Sequence, residues 1–227
     1  MNADNTSAAK ATRQGKARIL MVDDHPIVRE GMAQLLNLYD DLHLCCQASN
    51  LKEALAAMSA CSHDLAIVDI SLNGESGLNL IKIFRARYPT LSILAMSMHD
   101  ESLFAERALR SGANGYLMKQ EGTRNILLAV RQILAGNVYL SAAMHTEIVQ
   151  RMVAPQGDRP SRIGGLSERE FEILCLIGLG FGSTQIAEKL NRSIKTIEAH
   201  RANLKEKLQM KSGRDLVRFA VQLLETN

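Results

Sequence analysis

Asp64-Leu65-Ala66-Ile67-Val68-Asp69-Ile70-Ser71-Leu72-Asn73-Gly74-Glu75-Ser76-Gly77 is the stretch whose reading decides the fold. The apolar run Leu65 to Val68, followed by Gly-rich turn chemistry, reads as a buried parallel strand and its exit loop. Asp69 stands where that strand ends. Open α/β sheets bind ligands at the carboxyl ends of their strands, so a carboxylate there is placed for chemistry. For one isolated aspartate, a turn or cap role is an equal alternative. The ends of the other strands decide between them.

Working outward, Arg18 to Val22, Leu42 to Gln47, Leu91 to Met96 and Gly115 to Met118 are strand-like. Between them, helical spacing of apolar residues runs through Ile27 to Leu38, Leu51 to Ala60, Leu78 to Phe84, Glu101 to Arg110 and Thr123 to Ala135. Asn50 reads as an N-cap, while Pro89, Gly112 and Gly136 mark stops. Five β-α units in sequence imply a parallel sheet with helices on both faces. The expected class is an α/β flavodoxin-like domain of strand order 2-1-3-4-5, followed by an all-α helix-turn-helix domain.

The strand ends carry Asp23-Asp24, Asp69, Ser97 and Lys119. In that strand order they converge at one edge of the sheet, near its switch point. Three carboxylates in one pocket raise one another's proton affinity unless a cation intervenes. An oxygen-rich, partly open site suits Mg²⁺, which keeps waters and accepts a phosphate ligand. Lys119 offers a point charge to a phosphoryl oxygen and Ser97 a hydroxyl donor. Asp69 then reads as a nucleophile for phosphoryl transfer. His25 and His99 lie beside the pocket as supporting or solvated groups.

The net charge of +3 conceals an asymmetry: residues 159–227 carry 12 Lys+Arg against 8 Asp+Glu, net +4, whereas residues 1–158 carry 15 against 16, net −1. A basic C-terminal segment points to a polyanion. There, Ser183 to Leu190, the turn Asn191-Arg192-Ser193 and a helix from Ile194 to Leu208 form a helix-turn-helix pattern. On the second helix Ile197, Leu204 and Leu208 share a core face flanked by His200. Lys195, Ala199 and Ala202 point away, with Glu198 and Asn203 at the edges. Lys195, Arg201, Lys205 and Lys207 can reach phosphates, and Glu198 can accept from a cytosine amine. Thr196 completes the expected DNA-facing set. The last helix, Gly213 to Glu225, carries a broad apolar arc.

With 46% hydrophobic residues and no apolar run near ~20 residues, the chain reads as globular, with no membrane partner. Cys45, Cys46, Cys61 and Cys175 lack metal-ligand spacing and read as small buried residues of a reduced, cytoplasmic protein. The expected organisation is a disordered tail over 1–16 without a secretory signal, a phosphoacceptor α/β domain over 17–138, a helix and linker over 139–163, and the helical domain over 164–227. Pro155, Gly157 and Pro160 give the linker its chemistry.

Val22-Asp23-Asp24-His25-Pro26, Val68-Asp69-Ile70, Ala95-Met96-Ser97 and Gly115-Tyr116-Leu117-Met118-Lys119 resemble the receiver domain of bacterial two-component response regulators. Leu166-Ser167-Glu168-Arg169-Glu170 through Lys195-Thr196-Ile197-Glu198-Ala199-His200-Arg201 looks like a LuxR-type DNA-binding domain. Together they resemble the NarL/FixJ class. The resemblance implies a transcription regulator, not an enzyme, phosphorylated on Asp69 by a sensor histidine kinase. It implies Mg²⁺ held by Asp23 and/or Asp24, Asp69 and the carbonyl of Ser71, with Ser97 and Tyr116 as a switch pair. It also implies a homodimer on double-stranded promoter DNA through Leu216, Phe219, Ala220 and Leu223, with RNA polymerase a candidate further partner. A phosphoaspartyl hydrolase is a rival reading, but Ser71 stands where such enzymes want a second acid. A protein-binding adaptor is another, opposed by the basic helix.

Overall fold

In a computed structural model of the chain, the described residues are 15–72, 75–98, 101–146, 163 and 165–225. The expected tail up to residue 14, most of the Ser141–Val153 helix and the Pro-Gly linker lie outside them; residues 142–146 are helical.

Seven strands and nine helices follow in chain order among the described elements. The N-terminal part contains β1 (Ala17–Val22), α1 (Pro26–Asn37), β2 (Leu42–Ala48), α2 (Leu51–Ala60), β3 (Leu65–Asp69), β4 (Ser71–Leu72) and β5 (Glu75–Ser76). Then come α3 (Gly77–Arg87), β6 (Ser92–Ser97), α4 (Glu101–Arg110), β7 (Gly115–Met118) and α5 (Thr123–Leu134). The main sheet has the order β2-β1-β3-β6-β7, all neighbours parallel, which is the expected doubly wound arrangement.

The antiparallel hairpin β4–β5 is a correction to the exit loop read from the sequence. Its register pairs Leu72 with Glu75 and leaves Asn73-Gly74 between them, the strongest short-range hairpin signal. The pairs are few, so helical and strand periodicity gave no sign of them.

Alternation along the strands divides the core. Leu20, Val22, Val68 and Ala95 join Ile81 and Phe84 of α3 on one face. Ile19, Met21, Ile67 and Leu94 join Leu36 of α1 and Ile133 of α5 on the other. Both faces are therefore covered, which is why the strands read as continuous apolar runs.

The C-terminal part comprises α6 (Glu168–Gly178), α7 (Ser183–Lys189), α8 (Ile194–Lys207) and α9 (Gly213–Glu225). Ser167 and Glu170 form a capping box that starts α6, and Ser193 accepts from the Thr196 amide at 3.1 Å to start α8. Asn191, with φ of 47°, makes the sharp turn between α7 and α8, a conformation its short polar side chain tolerates. At Gly178 a Cβ would meet the Ala220 carbonyl oxygen at 2.5 Å, so α6 and α9 pack backbone to backbone.

The two parts touch through α4 and α6. The Phe104 and Phe171 rings meet edge-on at 5.2 Å, and the Arg107 guanidinium lies 4.0 Å above the Phe171 ring. Arg107 also donates to the carbonyls of Ile163 at 2.8 Å and Leu166 at 3.4 Å. The Ser71 hydroxyl donates to Glu172 at 3.2 Å, tying the exit of β3 to α6.

Candidate functional site

β1 and β3 end side by side, so Asp23 and Asp69 emerge together, exposed by only 0% and 2%. The Lys119 amide donates to the Ser97 carbonyl at 2.7 Å, extending the β6–β7 pairing and aiming the lysine inward. Its ammonium lies 2.6 Å from Asp23 Oδ2 and 2.8 Å from Asp69 Oδ2. The Ser71 amide donates to Asp69 Oδ1 at 3.1 Å. Gly77 opens α3 directly beneath this loop, because any Cβ there would collide with the Asp69 carbonyl oxygen.

One ammonium faces three carboxylates here. Burial pushes the Asp69 carboxyl up to about 7, against the pull of Lys119 and helped by the neighbouring Asp23 charge. Burial works against the Lys119 charge, but Asp69 and Asp23 outweigh it and hold its pKa above the ordinary value. Donor atoms of Asp23, Asp24, His25 and Asp69 all lie within 4.8 Å of one another. This mostly oxygen donor set, with negative charge in excess of one lysine, fits a small hard divalent cation such as Mg²⁺.

The sequence reading underrated two residues. His25 Nδ1 sits 3.1 Å from Asp23 Oδ1 and 2.9 Å from Asp24 Oδ1, clamping both carboxylates. Arg29, one turn into α1, donates to the Asp23 carbonyl at 2.6 Å. The signal was the placement of Pro26 at the first helical position, which starts α1 immediately after the acidic pair. Ser97 and Tyr116 are both fully buried, the tyrosine inside the core cluster shared with α3 and α4. His99 lies outside the described residues.

On α8, Ile197, Leu204 and Leu208 are fully buried, with His200 half-buried beside them. Lys195, Glu198, Ala199, Ala202 and Asn203 are exposed, and Arg201 and Lys205 half-buried. Two expected DNA contacts are engaged within the domain. Thr196 shares a 2.8 Å hydrogen bond with Ser193 in the cap. Lys207 pairs at 2.7 Å with Glu170, which also accepts from Ser167, so its charge serves the domain's own packing. The expected dimer set needs a similar correction. Leu216 and Ala220 are wholly buried against α6, because α9 must fill that close helix contact, while Phe219 and Leu223 stay half-buried. Arg214 and Arg218, absent from the expected set, line a groove with Arg201. Of the cysteines only Cys175 is buried; Cys45, Cys46 and Cys61 are partly exposed, against expectation.

A doubly wound domain with an acidic, lysine-bridged pocket at its strand ends, joined to a helix-turn-helix unit, defines the class of response regulators. Residues 19–131 match the response regulator receiver domain family, and residues 165–220 match the bacterial regulatory proteins of the luxR family. The oxygen regulatory protein NreC of Staphylococcus carnosus is 36% identical over 212 residues, covering 90% of this chain and 97% of that protein. A LuxR-family two-component response regulator from Aurantimonas sp. SI85-9A1 is 32% identical with a TM-score of 0.57, covering 62% of this chain and all of the other. RcsB from Salmonella enterica serovar Typhimurium, solved on promoter P1flhDC with phosphomimetic BeF3-, shares the fold at 24% identity and a TM-score of 0.60, over 91% of this chain and 98% of that one. The chain belongs to the two-component response regulators that join a receiver domain to a LuxR-type DNA-binding domain. No helix among the described residues is long and apolar enough to cross a membrane.

Proposed function

We propose that Asp69 accepts a phosphoryl group from a sensor histidine kinase and that the phosphate controls binding of α8 to promoter DNA. The observation that carries this reading is the Lys119 ammonium bridging Asp23 and Asp69 at 2.6 and 2.8 Å in a buried pocket. An Asp69 carboxylate oxygen attacks phosphorus, the P–N bond of the donor phosphohistidine breaks, and its electron pair returns to the imidazole nitrogen. Lys119 then pairs with a phosphoryl oxygen and Ser97 donates its hydroxyl to another. Asp23, Asp24, Asp69 and the Ser71 carbonyl would hold Mg²⁺, which offsets the charge of the phosphoryl oxygens when bound. Ser97 and Tyr116 relay the change toward α4.

On DNA, α8 enters the major groove. Glu198, Ala199, Ala202 and Asn203 face the base edges, and Lys195, Arg201 and Lys205 face phosphates. Phe219 and Leu223, with the exposed Val217, supply the dimer contact along α9. Such a regulator works in the cytoplasm.

Acetyl phosphate is the test. With Mg²⁺ present, the native chain should gain the mass of one phosphoryl group, and Asp69→Asn, which keeps the shape without the nucleophile, should gain none. Equal labelling of the variant would remove Asp69 from the reading.

A further inference from the structure

The described residues gather one more group of metal-binding side chains away from the acidic pocket, at the opposite end of β3. Cys45 and Cys46 are consecutive on β2, and consecutive strand residues normally face opposite sides of a sheet. Here the β1–β2 register jumps from Ile19↔Leu44 to Leu20↔Cys46, which leaves Cys45 as the extra residue of a bulge. Bulges re-aim side chains in this way. As a result, donor atoms of Cys45, Cys46 and His63 all fall within 4.8 Å of one another.

A third thiol, Cys61, borders this set without lying within 4.8 Å of all three donors. Cys61, which caps the end of α2, puts its sulfur 3.3 Å from the Cys46 sulfur and 3.5 Å from His63 Nε2. A tetrahedral ion with metal–sulfur bonds of ~2.3 Å and metal–nitrogen bonds of ~2.0 Å needs ligand edges of about 3.5–3.8 Å. The edge to His63 matches those values, and the edge to Cys46 falls a few tenths of an ångström short of the sulfur–sulfur one. Of the two His63 ring nitrogens, Nε2 faces Cys61 and Nδ1 is buried without a hydrogen-bond partner. Three thiolates and an imidazole around a divalent ion leave one net negative charge. Arg18 stands by to balance it, its guanidinium held on the Ser62 carbonyl at 2.8 Å, between the Cys61 and His63 donors in sequence.

We propose that Cys45, Cys46 and His63 form a binding site for a thiophilic divalent ion of the zinc class, with Cys61 shifting in as the fourth ligand. Sulfur and imidazole donors select such ions over Mg²⁺, so the two ends of β3 hold chemically distinct sites. The ion would staple the edge strand β2 to the α2–β3 connection. No pairwise spacing in the sequence signals this site, because its ligands meet only through the bulge.

Cobalt(II) is the probe, added to the reduced, full-length protein without oxygen and with excess Mg²⁺ to occupy oxygen-rich sites. One cobalt per chain should bind with sulfur-to-metal charge-transfer absorption and the strong visible bands of a tetrahedral centre. Zinc(II) should displace it. Cys61→Ser and His63→Gln should each weaken binding by at least ~10- to 100-fold, the range seen even for outer-shell partners. Asp69→Asn and Cys175→Ser should bind normally. If Cys46→Ser fails to fold, the more peripheral Cys45→Ser decides the matter, with circular dichroism as the folding control. Absence of the charge-transfer band in the native chain overturns the proposal. So does a band that survives every one of the Cys45, Cys46 and Cys61 substitutions, or one that Cys175→Ser removes.

Discussion

The absence of one side chain fixes the geometry around Asp69. Gly77 donates its amide to the Ile70 carbonyl at 2.8 Å, and a Cβ on it would strike the Asp69 carbonyl and the Ile70 Cα, both backbone atoms that cannot rotate away. Gly77→Ala must therefore push α3 off the end of β3. Overpacking of this kind costs ~1–3 kcal/mol. The variant should show a lower urea midpoint and slower labelling by acetyl phosphate, whereas Gly122→Ala, where the added carbon meets nothing, should do neither. At this scale the sequence was most legible where residue type alone carries the chemistry. Asp23, Asp24, Asp69 and Lys119 are charged groups at the ends of apolar runs, and they meet. The roles of His25, Arg29 and Gly77 depend on where a helix begins to within one residue, a precision that periodicity does not supply.

Elements were legible in proportion to their length. All five long strands and the helices with several apolar repeats lie within three residues of where periodicity puts them, whereas the two-residue strands β4 and β5 and the β2 bulge left no periodic trace. On α8 the inward and outward faces are separated as the spacing predicts, so groove reading can be tested directly. Ala202→Glu places bulk and negative charge on the exposed face and should abolish specific binding in a gel-shift assay. Lys205→Ala should weaken binding to all sequences alike and reduce the salt slope by about 1. The link between α6 and α8 makes a separate prediction for acid. Burial alone would raise the Glu170 pKa, but Lys207 and the two Ser167 bonds outweigh it and hold the carboxyl below its ordinary value. A depressed carboxyl stabilises the fold above its unfolded pKa, and that stability is lost as pH falls through the folded value. The C-terminal domain should thus lose thermal stability below about pH 4.5, its ordinary carboxyl value, and Glu170→Gln should flatten that dependence in calorimetry.

For the whole molecule, the contact between the two domains leaves the side of α8 proposed to face DNA open. Lys195, Glu198, Ala199, Ala202 and Asn203 are all exposed while Arg107 grips Ile163, Leu166 and the Phe171 ring. The contact therefore constrains orientation rather than covering the recognition helix. On the proposed reading, two helix-turn-helix units meet half-sites at a fixed spacing, and a fixed orientation would be enough to oppose binding. Glu172 lies on the same contact. Its Oε1 accepts from Ser71 at 3.2 Å, two residues from Asp69, and its Oε2 accepts from Arg169 at 2.6 Å. A phosphate on Asp69 would add roughly −1.5 to −2 charge two residues from the Ser71 hydroxyl that holds that carboxylate, and like charges repel. Arg107→Ala removes the grip without emptying either core, so it should raise the DNA affinity of the unphosphorylated chain toward that of the phosphorylated one. The expected gap between those two states is roughly 5- to 150-fold, the range of couplings of ~1–3 kcal/mol. Glu172→Gln keeps the shape but lowers the repulsion, so it should narrow the same gap from the other side. A fragment of residues 160–227 separates the remaining contributions in fluorescence anisotropy. It should bind as tightly as the phosphorylated chain if release of the restraint is the whole effect, and more weakly at low concentration if receiver pairing adds to it. An unchanged gap in both Arg107→Ala and Glu172→Gln would show that the α4–α6 contact plays no part in control.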